Sequence, residues 1–156
     1  MMHSHSPQQP LDLENQLAAL VAAARAIRHR AYAPYSGFAV GAALLDEHGN
    51  IHAGVNIENA AYPQGLCAEA SAIAHLVSSG GRRIAAIAVV GESAEPVTPC
   101  GGCRQKIREF ALPQTPVVIA DMTVERARFT LEQLLPASFG PQHLGSASAS
   151  RPREAI

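Results

Sequence analysis

Residues 67–90, CAEASAIAHLVSSGGRRIAAIAVV, decide how the chain folds. Cys67 to Val77 has helical length and is closed by Ser78-Ser79-Gly80-Gly81, a glycine stop. Ile84 to Val90 is an unbroken Ile/Val/Ala run, the pattern of a strand buried on both faces. A strand from Ile51 to about Ile57 precedes the helix, and strand, helix, strand implies a parallel crossover. The pattern repeats downstream, with Cys100 to Ala111 helical and Pro116 to Ala120 a short strand.

Upstream, Leu13, Leu17, Leu20, Val21, Ala24 and Ile27 recur at three- and four-residue steps, which predicts a helix over 11–30 with one buried face. Its basic end, Arg25, Arg28, His29 and Arg30, is what the helix dipole favours in a last turn. Tyr32-Ala33-Pro34-Tyr35-Ser36-Gly37 breaks the periodicity. Phe38 to Leu45 and Ile51 to about Ile57 then flank Asp46-Glu47-His48-Gly49-Asn50 and read as an antiparallel hairpin. Val124 to Phe129 adds an edge strand, and Thr130 with Gln133 forms a capping box opening a short helix that Pro136 ends. The expected fold is a three-layer α/β/α domain around a mixed sheet of about five strands, spanning residues 11–144. Residues 1–10 read as a flexible leader and 145–156, rich in Ser, Ala, Arg and Pro, as a disordered tail.

The composition narrows the partner. A chain of 156 residues with 47% hydrophobic content can bury one ordinary core. A formal charge of −1, no Trp and 4% aromatic residues leave neither a basic stripe nor stacking platforms for a polynucleotide, so the expected partner is a small molecule. Met1 to Pro10 lacks the basic flank and apolar stretch of a signal peptide. The longest apolar runs fall far short of the roughly 20 residues that span a bilayer. A cytoplasmic protein without membrane contact is the expectation.

Three cysteines cannot all pair within one chain, and all three fall at the mouths of predicted helices: Cys67 opens one, Cys100 and Cys103 the next. Residues three apart in a first turn share a face, so Cys100 and Cys103 can grip one ion, and two helix dipoles favour the thiolates that a soft metal requires. Zinc suits such sulfur ligands. His75 lies too far along its helix to be a fourth ligand, about 12 Å from Cys67 at about 1.5 Å rise per residue. Three ligands leave a position for water, and bound zinc can bring the pKa of water down to about 7. Glu69, in the same helix mouth as Cys67, is then placed to move protons without being needed as a ligand.

The pattern Cys-x-Glu followed by Pro-Cys-x-x-Cys is that of the zinc nucleobase deaminases, whose metal is held by three cysteines or by histidine and two cysteines, with a non-ligand Glu. The match extends well beyond the ligands. Ala33-Pro34-Tyr35-Ser36-Gly37-Phe38-Ala39-Val40-Gly41-Ala42-Ala43-Leu44, then Asn56-Ile57-Glu58-Asn59-Ala60-Ala61-Tyr62, Cys67-Ala68-Glu69 and Pro99-Cys100-Gly101-Gly102-Cys103-Arg104-Gln105 resemble the small homotetrameric cytidine deaminases. Leu134-Leu135-Pro136-Ala137-Ser138-Phe139 is similar to that family's C-terminal signature. The resemblance implies a cytidine deaminase-like fold and a pyrimidine-salvage enzyme with one zinc ion per subunit. Its reaction converts cytidine, and deoxycytidine, to uridine or deoxyuridine and ammonia through zinc-bound hydroxide attack at C4, with Glu69 shuttling protons. It also implies that Asn56 and Glu58 hold the ribose hydroxyls, Ala68 lies at the substrate, Phe38 flanks the pyrimidine, and Phe139 enters a neighbouring subunit's site.

Three thiolates on Zn²⁺ leave a net negative charge that something cationic should offset. Arg104, next to Cys103, is expected to hydrogen-bond a sulfur; many three-cysteine relatives carry a second arginine directly after the glutamate, where this chain has Ala70. Two rival readings share the pattern: a deaminase for another cytosine-bearing small molecule such as blasticidin S, and a non-enzymatic module stapled by zinc.

Overall fold

The computed structural model describes residues 10–144. Helix α1 spans Pro10–Arg28, strands β1 and β2 span Val40–Asp46 and Ile51–Val55, and helix α2 spans Ala68–Ser78. Strand β3 (Ile84–Gly91), helix α3 (Gly101–Phe110), strands β4 (Pro116–Ala120) and β5 (Glu125–Thr130) and a single helical turn, α4 (Leu131–Leu134), complete the described chain. Of the expected leader, only Pro10 is described, and it opens α1; the expected tail lies outside the described residues.

The five strands form one sheet in the order β2-β1-β3-β4-β5. β1 runs antiparallel to both β2 and β3, β3 pairs parallel with β4, and β5 returns antiparallel on β4. The mixed sheet is therefore as expected, and each strand, helix, strand unit joins strands of one direction; the first passes over β1 instead of joining neighbours. β1 starts at Val40, not Phe38, because the Asn56 side-chain amide takes the Phe38 carbonyl. β2 stops at Val55, and Ile57 instead makes isolated bridges to Tyr32 and Leu66.

Strand alternation gives the sheet two apolar faces. Ala43, Leu45, Ala86, Ala88, Val90, Val118 and Ala120 meet Leu17, Leu20, Val21 and Ala24 of α1. Ala42, Leu44, Ile87, Val89, Val117 and Ile119 meet Ala72, Ile73 and Leu76 of α2 and Ile107 of α3. Each fully buried Leu, Ile or Val side chain contributes roughly 1.5–3 kcal/mol and each alanine methyl less, so the two faces together carry the fold. Two glycines let the layers close: a methyl on Gly41 would sit 2.2 Å from the Ala24 carbonyl oxygen, and one on Gly54 would sit 2.3 Å from the Ala72 nitrogen. α1 and α2 thus lie directly on the backbone of β1 and β2.

At the far edge, β5 is blunted by charge, with Arg128 reaching both Glu125 and Glu14 of α1. Asp121 ties the turn before β5, accepting from the Thr123 and Val124 amides. The Thr130–Gln133 capping box is present, with both reciprocal hydrogen bonds. Among the described residues, no helix is long and apolar enough to cross a membrane.

Candidate metal and catalytic site

Cys67 is the N-cap of α2, Cys100 is the N-cap of α3, and Cys103 lies in the first turn of α3. The sheet brings the two helix mouths together, so that all three sulfur atoms lie within 4.8 Å of one another. Neither N-cap cysteine spends its side chain on capping, which leaves the sulfurs facing each other. The Cys67 and Cys100 sulfurs are 3.9 Å apart, against about 3.8 Å expected for two thiolates on a tetrahedral zinc at about 2.3 Å. Donor chemistry and spacing both fit zinc, and among the described residues this cluster holds three ligands and no fourth. His75 stays on the exposed flank of α2, outside the cluster.

Burial dominates the thiol energetics. It pushes Cys67 up, and it pushes the fully buried Cys103 far above the usual thiol range, helped by the Glu69 carboxylate. Cys100 goes the other way: burial opposes ionisation, but the Cys103 backbone N–H and the neighbouring thiols outweigh it. A bound divalent cation reverses this order by favouring every thiolate. Glu69, in the first turn of α2, is 5% exposed and close enough to act electrostatically on all three sulfurs. A carboxylate beside a metal-competent thiol cluster can carry protons to and from a reacting atom held there.

Arg104 corrects an expectation. Its guanidinium donates to the Pro99 carbonyl at 2.7 Å, the Leu134 carbonyl at 2.7 Å and the Thr98 hydroxyl at 3.0 Å, not to a sulfur. The planar fork locks the strand of chain leading into Cys100 against the end of α4. Arg104 thus makes no direct contact with a sulfur, whereas the Cys103 backbone N–H at the mouth of α3 favours the Cys100 thiolate.

Asn56 and Glu58 are brought to one side of the β2 end and are tied to the turn before β1. Asn56 accepts from the Val40 amide and donates to the Phe38 carbonyl, both at 2.8 Å. Glu58 accepts from the Tyr35 and Ser36 amides and from the Ser36 hydroxyl, which hold its carboxyl below the ordinary range. The sequence reading missed this bracing role, although polar residues at a strand end facing a Pro-Gly turn were the signal for it. Glu58 also lines a cavity of about 380 Å³ with Tyr35, Ser36, Asn59, Tyr62 and Gly65. Tyr35 and Tyr62, packed edge to face at 5.8 Å, were not singled out from the sequence.

Phe38 is 40% exposed and Phe139 57%, unusual for aromatic rings, whereas Ala68 is buried in the first turn of α2. Phe139 stacks on His143, and Gln105 of α3 donates to its carbonyl at 3.0 Å. The helix carrying two of the cysteines thus also holds the segment bearing Phe139.

Comparison with known proteins follows the same lines. The family model described as the cytidine and deoxycytidylate deaminase zinc-binding region matches residues 14–119. A cytidine deaminase of Sporosarcina psychrophila is 44% identical over 129 residues, 83% of this chain and 95% of its own length. The crystal structure of cytidine deaminase from Burkholderia pseudomallei aligns with a TM-score of 0.74 at 44% identity, covering 78% of this chain and 98% of that one. The Mycobacterium leprae cytidine deaminase structure aligns with a TM-score of 0.68 at 39% identity, covering 77% and 97%. With its sulfur cluster, its buried glutamate and this match across most of its length, the chain belongs to the zinc-binding cytidine and deoxycytidylate deaminase family.

Proposed function

We propose that this protein hydrolyses cytidine, and deoxycytidine, to uridine or deoxyuridine and ammonia, with one zinc ion per chain held by Cys67, Cys100 and Cys103. The observation that carries the reading is the convergence of three thiols with a buried carboxylate, Glu69, beside them. Bound zinc supplies water acidic enough to act as a nucleophile at neutral pH. Glu69 takes a proton from the attacking water and delivers it to ring N3 as C4 is attacked. It then carries a proton to the C4 amino nitrogen, so that ammonia leaves and the carbonyl forms. Asn56 and Glu58 receive the ribose hydroxyls with the hydrogen-bonding capacity left after bracing the turn. Ala68 lies at the pyrimidine and Phe38 flanks it.

The exposed Phe38, Ile57, Tyr62, Leu66 and Phe139 support a homotetramer in which Phe139 completes a neighbour's site. A nucleoside substrate and product without phosphate suit a role in pyrimidine salvage, which this reading assigns to the cytoplasm. A zinc-stapled binding module would call for a closed set of four protein ligands, whereas the cluster among the described residues has three.

The test is to incubate zinc-loaded protein with cytidine, deoxycytidine and blasticidin S and follow loss of the cytosine absorbance. Cytidine turnover is expected, and Glu69→Gln should keep the zinc but lower kcat by roughly 10²–10⁴. Unchanged absorbance with both nucleosides would defeat the reading. Light scattering tests the tetramer independently.

A further inference from the structure

A second set of metal-competent side chains lies outside the cysteine cluster. His52 and Gly54, two apart on β2, are both buried and share one face of the strand, and Gly54 lies against Ala68 and Ala72 of α2. His75, one turn beyond Ala72, meets His52: the ring centres are 5.1 Å apart and the planes stand at 90°. Behind His52 sits Asp46, whose carboxylate accepts from the His48 and Asn50 amides, from the Asn50 side chain and, at 2.8 Å, from His52 Nε2.

The tautomer follows from that count. The other partners of Asp46 are all N–H donors, and an ionised carboxylate can only accept, so His52 Nε2 carries a hydrogen, and in the neutral imidazole Nδ1 is the nitrogen that offers a lone pair. His52 is 4% exposed, and its Nδ1 is the one buried side-chain nitrogen or oxygen among the described residues without a hydrogen-bond partner. Buried polar atoms are nearly always partnered, so an unpaired Nδ1 at this depth points to a ligand. An imidazole that gives one ring N–H to a carboxylate and offers the other nitrogen is oriented as metal-binding histidines are. Two imidazoles sharing a tetrahedral ion at about 2.0–2.1 Å place their ring centres about 5 Å apart, in agreement with the observed spacing.

We propose that His52 and His75 form a second divalent-metal site of zinc type, with His52 Nδ1 and one His75 nitrogen as ligands and water completing the shell. Asp46 is its positioning residue. An ion held there pins β2 to the C-terminal half of α2, the helix whose other end carries Cys67 and Glu69. With two protein ligands it binds more weakly than the three-thiol cluster, so it fills second.

The experiment uses full-length protein loaded with one equivalent of zinc, then titrated with zinc chloride near neutral pH by calorimetry, beside His75→Ala and His75→Phe. His75 is exposed, so both variants should fold, and phenylalanine keeps an aromatic ring against His52 without any nitrogen. Wild type is expected to take up a second zinc ion, and both variants to bind it at least about tenfold more weakly, the effect even of losing a group behind a ligand. His3 and His5 are present in all three proteins, so zinc bound by them cancels. Uptake that stops at one zinc in the wild type, second-site binding equal in all three proteins, or a loss confined to His75→Ala would each overturn the proposal.

Discussion

Gly54 and Ala72 meet with no room for a side chain between them: a methyl on Gly54 would lie 2.3 Å from the Ala72 nitrogen and 2.7 Å from the Ala68 carbonyl oxygen. Both contacts are with backbone, so α2 as a whole must move to admit one. Gly54→Ala is therefore expected to destabilise the fold by about 1–3 kcal/mol, the cost of overpacking, and to loosen zinc, because α2 carries Cys67 and Glu69. Denaturant midpoints and zinc content per chain check both effects; normal values would show that the helix tolerates the shift.

Removing one sulfur separates metal binding from folding. Cys103 is fully buried in the first turn of α3, and Cys103→Ala leaves two thiols, too few to hold the ion against a chelator. Zinc content measured after dialysis against a mild chelator should fall from near one per chain to near zero, while far-ultraviolet circular dichroism stays close to wild type.

Arg104→Lys tests the clamp. A lysine ammonium cannot reproduce a planar fork that reaches Thr98, Pro99 and Leu134 together, so at least one carbonyl loses its partner. A loss of about 1–3 kcal/mol in unfolding free energy is expected, with faster zinc release as the chain before Cys100 loosens. Zinc release to a chromogenic chelator gives the second quantity, and an unchanged rate would show that the clamp does not reach the metal.

Asp121 sets a pH dependence of stability. Amide and hydroxyl donors from Thr123 and Val124 hold its carboxyl well below the usual carboxylate range. A folded-state value below the unfolded one, about 3.9, stabilises the native state above that pH, and the contribution fades as the pH falls toward the folded value. Asp121→Asn should thus lower the urea midpoint by a constant amount at pH 7 and 5 and by a smaller amount at pH 3. A gap that widens at pH 3 would contradict the sign.

Much of this molecule was legible in its sequence because the decisive signals are local. The glycine stop after Val77, the continuous run from Ile84 and the capping box at Thr130 each act within a few residues, and each appears where expected. The same holds for Cys67, Cys100, Cys103 and Glu69, whose positions in helix mouths follow from helix boundaries. Strand ends were less legible: Phe38 and Ile57 fall outside β1 and β2 because a side chain, Asn56, and a chain reversal at Leu66 claim their backbone groups.

The sequence by itself determined most of the elements and the metal-ligand set, since periodicity, residue type and spacing are properties of one dimension, and the resemblance of its motifs pointed to the family. Only the tertiary structure decided where side chains with several possible partners spend their hydrogen bonds. Arg104 turned to carbonyls and not to sulfur, Asn56 and Glu58 braced a turn, and His52 was left with a bare nitrogen facing no partner. Those outcomes depend on which elements β1 and α2 pack against, and packing between residues distant in the chain is fixed by how the whole core fills.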